Sequence, residues 1–254
     1  MPRRFAADLK AQCVRHPRRV TPVVVKSGRP VPAQPGPPAL TSARAERQFQ
    51  RAIKLNPNYA EGRYFYALSC LVPQRRYEEA IAQMKKAIEA DPLSLIVNAN
   101  LAWIYRLARQ DDLAMQQAQK ALKIDPGFFV LHERLEELYE DKGMYEEAMG
   151  EIGKQDEHHR GWAPRLRQAY AKSGSRGFWL EMVHLQTDLA KREYVPASNM
   201  AIFYMRLDDK DRAIEWLEKA RAEHDIDLAL NTVDRAFDPL RSDPRFRALL
   251  QSIG

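Results

Sequence analysis

Side chains suited to metal binding or catalysis occur at only a few places in the 254-residue sequence. His158 and His159 are adjacent, so on a helix they would point in different directions and could not share a metal ion. No cysteine or carboxylate stands at ligand spacing from them in a predicted site. We therefore expect no metal site, and we interpret these histidines as part of a solvated linker.

The two cysteines differ in their positions in the sequence. Cys13 lies in a basic N-terminal stretch, which predicts an exposed free thiol. Cys70 stands where the repeats described below have tyrosine, so buried packing is favoured over a nucleophilic role. Two cysteines in a chain of this length also exclude a disulfide scaffold.

One acidic cluster, formed by Glu136, Glu137, Glu140 and Asp141, could in principle supply paired carboxylates for acid–base chemistry. Such chemistry requires a cleft that shifts the pKa values of the pair, and no sequence feature implies one. A solvated helix face is the simpler interpretation. The sequence also lacks a phosphate-binding loop and the G-x-G-x-x-G and G-x-S-x-G motifs, so we expect neither enzymatic activity nor a cofactor.

Charge is distributed unevenly along the chain. The formal net charge is +6, but residues 1–44 hold nine basic side chains and one acidic side chain, whereas the remainder has 31 basic and 33 acidic residues. The same 44 residues hold eight of the sixteen prolines. The sequence therefore predicts a basic, proline-rich arm, residues 1–41, followed by a nearly neutral folded body.

The arm has no helical periodicity, and its prolines would break any helix that crossed them. We predict an extended, disordered segment. Charged residues interrupt every apolar stretch near its start, which argues against a secretory signal, and the prolines argue against the amphipathic helix of an organellar transit peptide. No window of the sequence is long and apolar enough to predict a membrane span, so a cytoplasmic location is the default expectation.

The body contains an internal repeat. A pattern of small or apolar residues that ends in a proline occurs three times, at intervals of 35 and 34 residues. Its copies are Ala45, Phe49, Ala52 and Pro57; Ala80, Met84, Ala87 and Pro92; and Ala114, Ala118, Ala121 and Pro126. A fourth copy begins at Ala148 and degenerates, and a late copy is formed by Ala213, Leu217 and Ala220.

Each copy is predicted to form two amphipathic helices joined by a short turn. Small residues let two antiparallel helices approach closely, so Ala102 and Ala114 would meet inside one such hairpin. The proline after each second helix cannot continue that helix and sets the start of the next one. The copy at 60–94 has one extra residue, which we expect in the turn at Val72–Arg76.

This pattern resembles the tetratricopeptide repeat, a helix hairpin of about 34 residues. The resemblance covers residues 42–225 as about five repeats, of which the first is partial and those in 129–196 are degenerate. It implies an all-α fold, a right-handed α-solenoid of helix hairpins. It also implies a binding surface, because stacked hairpins line a concave groove with their first helices.

Residues 226–254 are predicted to cap this solenoid, since the last repeat would otherwise expose its core face. Ser242 or Asp243 can cap a helix that begins at Pro244. Its apolar face would consist of Phe246, Leu249, Leu250 and Ile253. The layout resembles the repeat region of large bacterial regulators, in which tetratricopeptide repeats follow a winged-helix or Ser/Thr kinase domain.

The resemblance places ten residues in the groove. They are Tyr64, Leu68 and Leu71 in one repeat, Asn100, Trp103 and Arg106 in the next, and Glu133, Arg134, Glu137 and Asp141 in the third. Trp103 and Arg106 are the candidates for a binding hot spot, because tryptophan and arginine dominate interface energies. Packing of Trp103 against a neighbouring helix is the alternative interpretation.

These features predict a non-catalytic scaffold that binds a peptide or helix of a partner protein in the groove, in a regulatory or signalling role. Repeats that bind acidic chaperone tails resemble a five-residue clamp, which Asn100 and Arg134 match. Tyr64, Leu68 and Val130 do not match it, so binding of chaperone tails is not favoured.

Two further interactions are predicted at the N-terminal side. Nucleic-acid or anionic-surface binding by the basic residues 1–44, with the repeats recruiting a partner, is the alternative function. Helix 42–55 matches the second helix of a repeat whose first helix is missing. This arrangement predicts an uncovered apolar edge that mediates a homodimer or frays.

Overall fold

A computed structural model describes residues 42–155 and 157–253, and the predictions for the arm lie outside these residues. The described chain is all-α. Its helices are α1 (Ser42–Leu55), α2 (Ala60–Tyr66), α3 (Tyr77–Ala90), α4 (Leu95–Leu107), α5 (Asp111–Leu122), α6 (Phe129–Asp141), α7 (Tyr145–Ile152), α8 (Glu157–Arg160), α9 (Trp162–Ala190), α10 (Ala197–Arg206), α11 (Lys210–Ala222), α12 (Leu228–Asn231) and α13 (Pro244–Ile253). A 3₁₀ helix, Arg235–Leu240, precedes α13.

Successive helices pair as hairpins, and the hairpins stack on one another. The pairs are α2 with α3, α4 with α5, α6 with α7 and α10 with α11. Helix α9 is itself a hairpin, because Ser173 and Gly174 have non-helical dihedral angles at its middle. Gly174 has φ 59° and ψ −149°, a region open essentially only to glycine. The predicted all-α solenoid of helix hairpins is therefore confirmed.

The alanines of the repeated pattern are buried where helices cross. Ala80, Ala87, Ala102, Ala114 and Ala121 have no exposed surface. A larger side chain at such a position would overpack the crossing, at about 1–3 kcal/mol. The spacing that identifies the repeat in the sequence is thus the spacing of the helix contacts.

The hydrophobic core is divided into three clusters along the solenoid. This division is expected of a stack in which each hairpin contacts mainly its neighbours. Two residues depart from it, because Val233 belongs to the cluster of the first three hairpins and Leu230 packs against it. The C-terminal region therefore returns to the start of the solenoid.

A buried polar residue near the start of the first helix ties each of the first three hairpins to the loop before it. Arg63, Asn98 and His132 each contact the carbonyl oxygen of the proline six residues earlier, at 2.8, 3.4 and 2.8 Å. Their partners on the second helix of the hairpin are Gln83, Gln117 and Glu151. These contacts satisfy a carbonyl that the end of the preceding helix would otherwise leave unpaired. The repeated pattern of alanines and prolines did not predict them.

The extra residue of the first complete hairpin lies inside a helix. Residues Ala67–Leu71 form a π-helical turn that continues α2, with a 2.9 Å bond from the Val72 N–H to the Ala67 carbonyl. Arg75 and Arg109 then take equivalent left-handed positions in the turns of the first two hairpins. The expectation of an insertion at Val72–Arg76 is wrong, because a π turn accommodates one added residue without changing the turn.

The C-terminal helix α13 caps the solenoid and begins at Pro244, as predicted. The Arg245 backbone N–H donates to Asp243 Oδ1 at 2.8 Å, which caps the first turn. Phe246 and Leu249 are buried against the core of the last hairpin, and Leu250 and Ile253 pack beside them.

Candidate functional site

Side-chain contacts link the predicted groove residues across α2, α4 and α6, and we call this surface the groove. The Asn100 side-chain amide donates to Tyr64 Oη at 3.3 Å. The Arg134 guanidinium lies 5.7 Å from the centre of the Trp103 ring. Residues predicted from three separate repeats are thus brought together on one face.

The ten predicted residues differ in how much surface they offer a partner. Leu71 is completely buried, Trp103 is 8% exposed, and the side chain of Arg106 is 3% exposed. Trp103 therefore packs against the neighbouring helix. Asn100 and the Asp141 side chain are also buried. Those that remain partly exposed are Tyr64, Leu68, Glu133, Arg134 and Glu137.

Residues 230–238, which we call the closing segment, cover the end of the groove where the first helices end. Leu230 and Val233 pack against the core of the first three hairpins. The Val233 carbonyl accepts a hydrogen bond from Tyr77 Oη at 3.5 Å. Phe237, farther along the segment, is buried in the core of the last hairpin. The segment thus joins the two ends of the solenoid.

Asp141 is the centre of the ion-pair network at this junction. Its side chain is 4% exposed and receives hydrogen bonds from Arg106 at 2.5 Å, from Arg235 at 2.6 Å and from Arg206. Arg106 also donates to Asp234 at 2.6 Å, across 128 residues of sequence. Burial disfavours the charged form of Asp141, but Arg106 and Arg206 more than offset it, so its pKa is lowered.

A second carboxylate of the closing segment, Asp238, is bound by arginines of two successive turns. Arg75 Nη2 lies 3.5 Å from Asp238 Oδ1, and Arg109 pairs with the other carboxylate oxygen. Both arginines have left-handed backbones, with φ 58° and 61°; at the turns of later hairpins Gly143, Gly174 and Asp208 also have positive φ. This conformation costs a non-glycine residue roughly 1–2 kcal/mol. At these two turns the strained residue binds Asp238, which Arg241 of its own segment also contacts at 3.4 Å.

Two glutamates on α6, Glu136 and Glu140, are partly buried beside this network. Burial raises the pKa of Glu140 to about 8; Arg206 opposes the shift, and Asp141 adds to it. Burial and the Glu140 charge raise the pKa of Glu136 well above its usual range, against a hydrogen bond from Gln155. Glu140 Oε1 is buried without a hydrogen-bond partner. The prediction of a solvated acidic face is wrong here, because neighbouring elements cover this side of α6.

Cys70 and His159, which were considered for catalysis and metal binding, lie outside the ion-pair network. Cys70 is buried, and burial raises the pKa of its thiol to about 11, which disfavours the nucleophilic thiolate. The His159 ring lies 4.2 Å from the Trp162 ring. Within 42–155 and 157–253, no three histidine, cysteine or acidic side chains are grouped as metal ligands. Cys13 lies outside the described residues.

The outer face of α1 is basic. Phe49 is buried and Ile53 packs against the first core, whereas Leu55, at the end of the helix, is 78% exposed. The side chains that face solvent at spacings of three and four residues are Arg44, Arg47, Arg51 and Lys54. The core packing therefore covers most of the apolar edge on which the homodimer prediction rests, and the homodimer stays a prediction.

No helix among the described residues combines the length and the apolar character that crossing a membrane would require.

Models of the tetratricopeptide repeat family match residues 42–92 and 71–127, and another such model matches residues 198–220. None of the curated proteins matches the sequence significantly.

Two solved structures are similar at low sequence identity. The crystal structure of MamA is 14% identical with a TM-score of 0.41, over 72% of this chain and 88% of that chain. The crystal structure of yeast Tom70 is 21% identical with a TM-score of 0.46, over 81% of this chain and 46% of that chain. The chain thus spans less than half the length of the Tom70 chain. The family matches and the stacked hairpins together identify tetratricopeptide repeats at residues 42–127 and 198–220.

Proposed function

We propose that the protein is a non-catalytic interaction scaffold that binds a peptide or helix of a partner protein in the groove, in a regulatory or signalling role. Tetratricopeptide repeats generally mediate protein–protein interaction, and stacked hairpins provide extended concave surfaces for it. The partly exposed residues Tyr64, Leu68, Glu133 and Arg134 would contact the partner. Trp103 and Arg106 would support this surface from below, since both are buried.

The observation that carries this proposal is that one end of the groove already holds a short stretch of polypeptide. The closing segment is bound there through an apolar side chain, a backbone carbonyl and two carboxylates. A surface that recognises these groups within nine residues has the chemistry needed to bind a peptide. The neighbouring end of the groove presents an aromatic, an apolar and two charged side chains.

Paired variants of the full-length protein test this proposal. We expect Tyr64→Ala with Glu133→Ala to weaken binding of a partner captured from the native cells by about tenfold or more, because both side chains lie on the groove. Affinity would be measured by calorimetry with the purified partner, and circular dichroism would verify folding. The matched control is Lys86→Ala with Leu113→Ala on exposed positions of α3 and α5. Equal affinity of the groove pair and the wild type would contradict the proposal.

Contact with nucleic acid through the N-terminal region is the second candidate function, with the repeats recruiting a partner. The observation that favours it is the outer face of α1, where Arg44, Arg47, Arg51 and Lys54 are exposed in one stripe directly after the basic arm. Among the described residues, no acidic side chain pairs with these four. The stripe would extend the phosphate-binding surface of the arm onto the folded body.

A gel-shift titration with a duplex of about 20 base pairs tests this candidate. We expect binding that weakens with salt, and the variant with Arg44, Arg47 and Arg51 changed to glutamine should bind about tenfold more weakly and show a smaller salt slope. The control changes three exposed lysines elsewhere, Lys86, Lys120 and Lys123, to glutamine. If the arginine and lysine variants bind alike, the stripe has no special role.

A further inference from the structure

We infer that the groove binds an acidic partner segment, with two carboxylates four residues apart, and that this segment binds by replacing the protein's own closing segment. The inference rests on the proposed function, because it names the ligand class and the regulation of the same groove. Until the partner arrives, residues 230–238 occupy the end of the groove.

The first step is the geometry of two carboxylate sites. Arg106 binds Asp234 at 2.6 Å, and Arg75 and Arg109 together bind Asp238. The three arginines come from α4 and from the turns of the first two hairpins. They are therefore fixed relative to one another by the stacked repeats, and they accept two carboxylates at the spacing of one helical turn.

The second step is that the surface around the two carboxylate sites also binds an apolar side chain and a backbone carbonyl of the segment. Val233 is 4% exposed within the core of the first three hairpins, and its carbonyl accepts from Tyr77. A segment that binds here is thus recognised by one of its apolar side chains, one of its backbone carbonyls and two of its carboxylates. This combination selects an acidic peptide with an apolar residue beside its first carboxylate, rather than a free anion.

The third step is the backbone of the arginines. Arg75 and Arg109 both occupy a left-handed position that favours glycine, and Gly143 takes the equivalent position in the next hairpin. The two arginines that adopt this conformation both reach the same carboxylate, Asp238. Asp208 has the same conformation, with φ 60°, in the turn between α10 and α11, so the conformation belongs to the hairpin turns. What distinguishes Arg75 and Arg109 is that both bind Asp238.

The fourth step is that residues 230–236 and the Asp238 side chain can leave the groove while Phe237, in the same segment, stays in the core of the last hairpin. The side chains of Arg75 and Arg109 are 44% and 63% exposed, so their pairs with Asp238 are weakened by salt and solvent. Phe237 and Leu240 are anchored in the last hairpin and need not move. Arg106 keeps Asp141 as a buried partner after Asp234 has left.

A peptide with the sequence of residues 230–241, acetylated, amidated and fluorescently labelled, tests the inference on the full-length protein. The released protein carries Asp234→Asn and Asp238→Asn, which remove the two carboxylates that Arg75, Arg106 and Arg109 bind in the closing segment. We expect it to bind the peptide about tenfold or more tighter than the wild type does, because its own segment no longer competes. Fluorescence anisotropy at low and high salt gives the affinities. A peptide with both aspartates changed to asparagine should not bind.

Arginine variants in the released protein locate the binding. Arg75→Gly with Arg109→Gly should weaken peptide binding about tenfold or more, and glycine suits the backbone at both positions. Lys120→Gln with Lys123→Gln removes the same charge elsewhere and should leave the affinity unchanged. If the double aspartate variant does not fold, Asp238→Asn alone retains the buried Asp234 pair and takes its place.

Three results would overturn the inference: no binding by the released protein, equal affinity of the released and wild-type proteins, or equal binding of the acidic and amide peptides. The proposed function is tested separately by the captured partner and the variants of Tyr64 and Glu133. If binding of the captured partner depends on Tyr64 and Glu133 but not on the three arginines, the proposed function holds and the inference of an acidic ligand is wrong.

Discussion

Replacing Asp141 by asparagine is expected to lower the free energy of unfolding by about 3–5 kcal/mol. This carboxylate is buried and receives hydrogen bonds from three arginines, which come from α4, from α10 and from the closing segment. Asparagine keeps the size of the side chain but removes its charge. Arg106 would retain Asp234 and a longer 3.5 Å contact with Glu137, but Arg206 would lose its buried partner. The Arg206 charge would then be buried without a compensating carboxylate, and this accounts for the large loss of stability.

Urea unfolding followed by circular dichroism measures this loss. The matched control is Asp112→Asn, whose side chain is 91% exposed and lies 3.6 Å from Lys142. Such an exposed pair contributes about 0–1 kcal/mol, so the control should unfold close to the wild type. A loss below about 1 kcal/mol for Asp141→Asn would show that the three arginines do not depend on this carboxylate.

Replacing Glu140 by glutamine is expected to remove much of the pH dependence of stability between about pH 5 and 8. Burial raises the folded-state pKa of this group from 4.5 to about 8. Within that window the folded protein holds a proton that the unfolded chain has released, so stability falls as the pH rises, by up to about 1.4 kcal/mol per pH unit. Glutamine cannot ionise. The variant should therefore exceed the wild type by up to about 3–4 kcal/mol at pH 8 and come close to it near pH 5.

Unfolding free energies at several pH values test this expectation. The charged groups that face Glu140 are Arg206 on α10, Arg106 on α4, and Asp141 and Glu137 on its own helix. All of them are unchanged in the variant, but the substitution also removes the Glu140 charge that raises the pKa of Glu136, so the difference between the two profiles reports on this pair of carboxyl groups. Glu147→Gln, at an exposed position on α7, is the control and should keep the wild-type profile. If the stability of Glu140→Gln and of the wild type changes with pH in parallel, Glu140 is not a protonated carboxyl in the folded protein.

The sequence predicted those features of the fold that local spacing determines. Ala102 and Ala114 were expected at a close helix crossing, and both are fully buried. Pro244 was expected to begin the capping helix, and it does. Each prediction depended on a few neighbouring residues, whose steric preferences act regardless of the rest of the chain.

The closure of the groove was not predicted, because it depends on residues far apart in the sequence. Asp234 and Arg235 belong to no periodic pattern, and nothing local indicates that they meet α4 and α6. Helix periodicity groups Glu136 and Glu140 on one face but does not say what covers that face. The sequence feature that could have indicated these contacts lies in two hairpin turns, where Arg75 and Arg109 stand in place of the glycine that such a turn favours.

The closure of the groove by the protein's own C-terminal segment is tested most directly by a double-mutant cycle on Arg106 and Asp234. These residues are 128 positions apart in sequence and 2.6 Å apart between Nη1 and Oδ2. Unfolding free energies would be measured for Arg106→Gln, Asp234→Asn, the double variant and the wild type. We expect a coupling energy of about 1.5 kcal/mol or more, as close buried charge pairs show. A coupling energy indistinguishable from zero would contradict the closed groove.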